Sequence, residues 1–503
     1  MELKIDPEFR DKIPPMPKED FDATGMCVTV CRGEDTLDKT YEEFLESKRM
    51  EAVSCGFAVK KEDICPKLYE WQQDIVIWAL KKGRAALFEL CGAGKTGQQL
   101  EWAHHVALHT GKPVLVLCPL SVAEQTRREA IKFGIPDVKV VRSQDEVING
   151  INVTNYEILN HFDCSVFGGV VVDESSCIKN FSGTLRNEII DSFKYTPYRL
   201  SCTATPAPND YMELGNQAEF LGVMSRTEML ATYFIHDGGE TSKWRLKGHA
   251  QDKFWEWMAS WACVLTNPSD LGYDGSDYVL PPLNTYQHTV KYEENLIGDN
   301  YSLFAGIAET LNDRRVARRN SLTDRCQLAA DIIAEKPDES FILWTDLNAE
   351  ADELKRIIPG SVEVRGTDSP EYKSEQLNKF ALGQTRVLIT KSLIAGYGMN
   401  FQTCHNMIFV GISDSWENYF QSVRRCWRYG QEHAVNVHII TSEAEGAVKD
   451  NIERKEKQAA YMIAEMVKYT KSILEEEIRG TVRISTPYNP KIIMEIPDWL
   501  VSA

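Results

Sequence analysis

The residues best suited to chemistry are Cys91-Gly92-Ala93-Gly94-Lys95-Thr96. They sit between an apolar run, Ala85-Ala86-Leu87-Phe88, that reads as a short buried strand and a stretch from about Gly97 that reads as helix. A glycine-containing loop in that position holds phosphates with backbone N–H groups and a helix N-terminus. Gly92, Ala93 and Gly94 would form the cradle. Lys95 would place its ammonium on the β/γ-phosphates, and Thr96 would offer a hydroxyl to Mg²⁺. Glu89 stands where the first glycine of the full G-x-x-x-x-G-K-[ST] pattern belongs, so the assignment needs partners downstream.

Three such partners follow. Val170-Val171-Val172-Asp173-Glu174 is a hydrophobic strand ending in two acids. Asp173 would hold magnesium, directly or through water, and Glu174 would orient and deprotonate an attacking water. Thr203-Ala204-Thr205-Pro206 follows a strand and can bridge the phosphate site to the rest of the chain. In Gln421-Ser422-Val423-Arg424-Arg425-Cys426-Trp427-Arg428, helical spacing puts Gln421, Arg425 and Arg428 on one face. Arginines supplied from another domain stabilise the charge on a transferring γ-phosphoryl group.

The elements that must position these residues alternate. Strand candidates at 85–88, 114–117, 138–141, 151–153, 169–172 and 199–202 are separated by amphipathic helical stretches, which predicts a parallel α/β sheet over residues 65–222. Ligands collect at the carboxyl ends of such strands, and every motif above lies at one. A second alternating unit spans 284–445, with strands at 340–344, 361–364, 386–389, 407–410 and 436–439. Residues 1–64 read as a small accessory module. Residues 223–283, with Trp244, Trp255, Trp257 and Trp261, read as a mostly helical insertion and linker whose tryptophans are packing anchors. Residues 446–503 read as a charged helix and tail.

At 503 residues, 43% of them hydrophobic, the chain can bury several cores. No apolar run is long enough for a transmembrane helix, and the polar N-terminus lacks a secretory core, so a cytoplasmic protein without membrane contact is expected. A net charge of −18 argues against a generally polyanion-coating surface. It leaves room for local basic clusters such as Arg314, Arg315, Arg318 and Arg319. The 13 cysteines are mostly single and embedded in apolar runs, as reduced thiols are. Cys27, Cys31, Cys55 and Cys65 could in principle form a metal site, but they contain no C-x-x-C pair.

The order of motifs resembles that of the superfamily-two helicases and translocases, within them the Swi/Snf-like branch, and especially compact phage and prokaryotic versions. Leu68 to Gln72 resembles the adenine-side glutamine motif, Cys91 to Thr96 motif I, Cys118 to Ser121 motif Ia, and Thr154 to Glu157 motif Ib. Asp173-Glu174-Ser175-Ser176 stands at motif II, with Ser175 in place of an alanine. Thr203 to Pro206 is similar to motif III, Leu343 to Thr345 to motif IV, Thr390 to Asn400 to motif V, and Gln421 to Gln431 to motif VI. The resemblance implies two RecA-like P-loop lobes. It implies ATP held by Gln72, Gly92, Ala93, Gly94, Lys95 and Thr96, with Gly398 and Asn400 from motif V, and Mg²⁺ held by Thr96 and Asp173. Lys95, Asp173, Glu174, Gln421, Arg425 and Arg428 would carry hydrolysis. Ser121, Thr154, Asn155, Thr345, Thr390 and Lys391 would contact DNA phosphates, on single-stranded, duplex or forked substrates. The expected protein is a DNA-dependent ATPase of a bacterial cell or phage-infected host, in replication, recombination or repair, working beside a nuclease or replication protein. Alternatives are an ATP-controlled loading module, RNA as substrate, and, more remotely, a small-molecule kinase.

Overall fold

The computed structural model describes residues 52–120, 122–237, 240–291, 318–395, 399–412, 415–443 and 446–479. The first lobe is built on β1 (Arg84–Glu89), β2 (Val114–Cys118), β3 (Val138–Val140), β4 (Ile151–Asn155), β5 (Gly169–Asp173) and β6 (Tyr198–Thr203). Most of these strands are apolar and buried along nearly their whole length, as strands covered on both faces must be.

Residues 223–283 differ from the expected helical insertion. Alongside the helices Arg226–Tyr233 and Gln251–Ala259 they form an antiparallel hairpin, β7 (Phe234–Asp237) and β8 (Glu240–Leu246), and a strand, β9 (Ala262–Leu265). β9 joins the first sheet beside β1, with Ala86 opposite Ala262 and Glu89 opposite Leu265. Ala262-Cys263-Val264-Leu265 is an apolar run of strand length that the neighbouring tryptophans disguised. Trp255, Trp257 and Trp261 are buried in the core of this lobe. The sheet order is β3-β4-β2-β5-β6-β1-β9, all parallel. The carboxyl ends of β4, β2, β5, β6 and β1 therefore set Asn155, Cys118, Asp173, Thr203 and Glu89 side by side along one edge.

The second lobe has β10 (Leu283–Val290), β11 (Phe341–Thr345), β12 (Val362–Glu363), β13 (Val387–Lys391), β14 (Asn406–Phe409) and β15 (Val435–Ser442), in the order β10-β15-β14-β11-β13-β12, again all parallel. β10 was not among the expected strands. Its sequence, LNTYQHTV, is mostly polar, and it is an edge strand in register with β15 from Leu283–Val435 to Val290–Ser442.

The helix Gly446–Arg479 leaves β15 and returns to the first lobe. Ala459 packs in the second lobe's core, whereas Met462, Met466 and Leu474, spaced along one helical face, pack in the first. Trp78 Nε1 donates to Glu477 Oε2 at 2.8 Å, and Tyr469 stacks on Trp255 with ring centres 5.9 Å apart. Residues 52–64 also run along the first lobe: Phe57 N donates to Leu80 O, and its ring stacks on His109 at 3.8 Å. The rest of the expected accessory module lies outside the described residues. Among the described residues no helix is long and apolar enough to cross a membrane.

Candidate nucleotide site and inter-lobe cleft

The loop after β1 turns through two glycines in the left-handed region, Gly92 (φ 92°) and Gly94 (φ 81°), before the helix Lys95–Thr110 begins. The φ of Gly94 favours glycine, and a Cβ there would also come 2.4 Å from Gln72 Nε2 and push that amide aside. Gln72 spans the loop: its amide donates to Ala93 O at 2.7 Å and its Oε1 accepts from Tyr69 N at 2.9 Å. Lys95 Nζ donates to Glu89 O at 2.7 Å and Leu90 O at 3.3 Å, closing the loop on itself. Thr96 is half-buried at the helix start. Beneath them Glu89 is fully buried, with Gln98 Nε2 donating to Oε2 at 2.8 Å and Oε1 unpaired. Desolvation raises the Glu89 carboxyl to about 7 despite the opposing effects of Lys95 and Gln98.

Asp173 ends β5 and accepts from Gln99 Nε2 at 2.7 Å, while the Tyr156 hydroxyl donates to its main-chain oxygen. Glu174 has φ 48°, a left-handed conformation that a non-glycine residue adopts at a cost, and its Oε2 is buried without a partner. Burial raises both carboxyls above their ordinary range. Lys95 and Arg425 oppose that for both residues, and Asp173 pushes Glu174 further up. Ser175 is buried, and its hydroxyl bonds that of Ser201 at 2.8 Å, tying the loop after β5 to β6. The serine at this third motif II position therefore has a bonding partner of its own.

From the second lobe comes the helix Trp416–Val423. It ends before the arginines, so the expected single helical face carrying Gln421, Arg425 and Arg428 is not formed. Tight turns, with Arg425 N donating to Ser422 O and Arg428 N to Cys426 O, replace it. Gln431 holds these turns through bonds from Nε2 to Gln402 O, Cys404 O and Cys426 O. Arg425 still folds back onto Gln421, donating to Oε1 at 3.0 Å, and also to Met399 O at 3.1 Å. Arg428 lies beside Gly92. Desolvation and then the neighbouring Arg425 lower it to about 10. Two residues bond the loop from across the gap: Gln421 Oε1 accepts from Cys91 Sγ at 3.7 Å, and Arg424, which is outside the expected set, donates from Nη2 to Cys91 O at 3.0 Å. Tyr429 joins them, its hydroxyl donating to Thr266 O at 2.5 Å and its ring lying against Gly92 and Tyr278. The run Arg424-Arg425 signalled concentrated charge, but nothing in it told which arginine would meet the loop.

A cleft of about 760 Å³ opens beside this junction. Thr154, Asn155, Glu174, Ser176 and Lys179 line it from one lobe, and Lys373, Asn378, Met399 and Glu417 from the other. Thr154 Oγ1 is buried there without a partner, and Asn155 Nδ2 bonds Glu157. Thr345 and Thr390 do not offer hydroxyls to this space. Both are buried; Thr345 donates to Thr390 O at 3.4 Å and Thr390 to Val364 O at 3.1 Å. Their hydroxyls knit strand ends together in this structure. Lys391 is half-buried at the end of β13. Asn400 is exposed and caps a turn with Gln402. Ser121 and Gly398 lie outside the described residues, as do Cys27, Cys31, Arg314 and Arg315. Among the described residues no cluster of His, Cys, Asp and Glu is arranged to hold a metal ion by itself.

The residues present fit a nucleoside triphosphate with magnesium. Unpaired buried polar atoms gather around the junction: Gln99 Oε1, Glu174 Oε2, Gln421 Nε2, Ser422 Oγ, Arg424 Nε and Arg428 Nε. Buried polar atoms without partners are uncommon, and this set places acceptors on the first lobe's side of the gap, suited to magnesium and water, and donors on the second's, suited to phosphate oxygens.

The chain thus folds as two all-parallel α/β lobes, with a glycine–lysine loop in the first. Residues 324–430 match the helicase conserved C-terminal domain, so the second lobe carries that domain. No curated protein matches the chain. Among solved structures it is similar to one described as the Sulfolobus solfataricus SWI2/SNF2 ATPase core in complex with dsDNA, at 17% identity. That likeness covers 84% of this chain and 99% of the other, with a TM-score of 0.40.

Proposed function

We propose that this protein is a DNA-dependent ATPase of the Swi/Snf-like branch that converts ATP hydrolysis between its lobes into movement along, or unwinding of, DNA. The observation that carries this reading is the convergence at one junction of the loop 91–96, the pair Asp173-Glu174 and the arginines 424, 425 and 428 from the opposite lobe. Magnesium, when bound, would neutralise phosphate charge and be held by the Thr96 hydroxyl and the Asp173 carboxylate. Lys95 exchanges its two carbonyl partners for phosphate oxygens. Glu174, its carboxyl made more basic by burial, takes the proton of the attacking water at Oε2. Arg425 and Arg428 stabilise the charge developing on the transferred group. Once the phosphates leave, the arginines lose that anchor and the lobes can separate.

Thr154, Asn155 and Lys179 on one wall of the cleft and Lys373 on the other suit a phosphate backbone read without regard to sequence. The setting we infer, from the motif resemblance, is phage or prokaryotic replication, recombination or repair, beside a separate nuclease or replication protein. The test compares ATPase rates with single-stranded, duplex and forked DNA and with RNA, in wild type, Lys95→Ala and Glu174→Gln. DNA should stimulate the wild type most. Both variants should lose on the order of 10³-fold in turnover while still binding DNA. Unchanged turnover in either variant, or stimulation by RNA alone, would refute the reading.

A further inference from the structure

Lys179 closes the short turn Ser175–Ile178 that follows Asp173 and Glu174. Its ammonium is paired across the lobes with the carboxylate of Glu417. Glu417 is only 5% exposed and sits in the first turn of the helix Trp416–Val423, which carries Gln421. The Thr205 hydroxyl also donates to Glu417 Oε1, at 3.4 Å. One carboxylate thus gathers the loop after β5, the loop after β6 and the helix leading to the arginines. Both members of the pair also line the inter-lobe cleft, with Thr154, Asn155, Asn180 and Lys373. Glu417 is the buried member of the pair, whereas the Lys179 side chain is 31% exposed, so an anion in the cleft can reach its ammonium.

We propose that the Lys179–Glu417 pair is a phosphate-responsive latch. A nucleic-acid phosphate entering the cleft competes with Glu417 for Lys179. Once released, Glu417 keeps its bond from Thr205 but no longer ties the helix Trp416–Val423 to the turn after Glu174. That helix can then reseat Gln421, Arg425 and Arg428 for hydrolysis. Glu417 is a positioning residue here, and Lys179 is the sensor. The unpaired Thr154 Oγ1 in the same cleft is a second donor suited to that phosphate. The inference rests on the DNA-dependent ATPase reading and supplies the route by which DNA reaches the ATP site.

The test uses the full chain and measures ATPase with and without saturating duplex DNA, the salt dependence of DNA binding by fluorescence anisotropy, and thermal melting. Glu417→Gln keeps the side chain's shape and its acceptor for Thr205, and Glu213 remains within electrostatic reach of Lys179. It should raise the DNA-free rate about fivefold, the effect of losing one modest interaction, and leave the DNA-saturated rate within about twofold. The stimulation ratio should fall accordingly. Lys179→Met should reduce the slope of log K against log salt by about 0.9, one phosphate contact, whereas Glu417→Gln should not. An unaltered stimulation ratio in Glu417→Gln, a parallel fall in both of its rates, or an unchanged salt slope in Lys179→Met would overturn the latch. A wild type indifferent to DNA would instead sink the underlying ATPase reading.

Discussion

The two lobes share one architecture but leave polar groups of opposite kind unpaired. In the first lobe the donors at the strand ends are occupied, Lys95 with the Glu89 and Leu90 carbonyls, Gln99 with Asp173 and Gln72 with Ala93, and the atoms left over are mostly acceptors, such as Glu89 Oε1, Gln99 Oε1 and Glu174 Oε2. In the second, the segment 421–428 carries buried donors with nothing to bind, at Gln421 Nε2, Arg424 Nε and Arg428 Nε. A strand–loop–helix turn brings its own carbonyls and N–H groups, so the first lobe's site can close on itself. The turns after Val423 have no equivalent, and their side chains need acceptors from across the gap. The difference teaches that half of the site is preformed, while the other half is completed only by contact.

The comparison breaks most visibly at Arg425. Replacing it with alanine removes a charge near Asp173 and Glu174, and turnover should drop by about 10³-fold, well beyond the loss of about 1–3 kcal/mol in stability from its bonds to Gln421 and Met399. An equal loss of stability and turnover would mean that Arg425 matters chiefly through Gln421 and Met399 in its own lobe.

The preformed half is sharpened by Glu89→Gln. The folded protein holds a proton on Glu89 up to about pH 7, against 4.5 for an ordinary glutamate. A raised carboxyl binds more protons folded than unfolded, so this group's contribution falls as pH rises from 4.5 to 7 and then levels off. The glutamine variant should therefore melt higher than wild type at pH 8, by at most about 3 kcal/mol, and nearly level with it below pH 5. Equal melting shifts at the two pH values would show that Lys95 and Gln98 fully compensate the buried charge.

The smallest effect is expected from Ser175→Ala, which removes the bond to Ser201. Ser201 keeps its bond to Gln217 Oε1, so the loss should be about 1 kcal/mol in a denaturant melt. A steep fall in ATPase would instead make Ser175 a link between motifs II and III.

Much of this was legible in the sequence because short Val/Ile/Leu runs mark buried parallel strands, and the chemistry sits at their ends. Val170-Val171-Val172-Asp173 needed no tertiary information to be placed. β9 was hidden because its four apolar residues follow a tryptophan-rich helix. The bonds of Thr345 and Thr390 to neighbouring carbonyls were not legible, because a hydroxyl at a strand end can face a groove or a carbonyl and the packing of β11, β12 and β13 decides. Arg424 could not be separated from Arg425 by spacing once the helix ended at Val423. Neither could Lys179 be matched with Glu417, since their pairing depends on how two lobes meet.

The long terminal helix, crossing back from β15 to Trp78 and Trp255, gives the molecule a second attachment between its halves beside the chain running from β9 to β10. The helix also packs on β9 and on the turn Pro268–Leu271, with Lys471 Nζ donating to Ser269 O at 3.2 Å, so both attachments lie side by side and would work as one hinge.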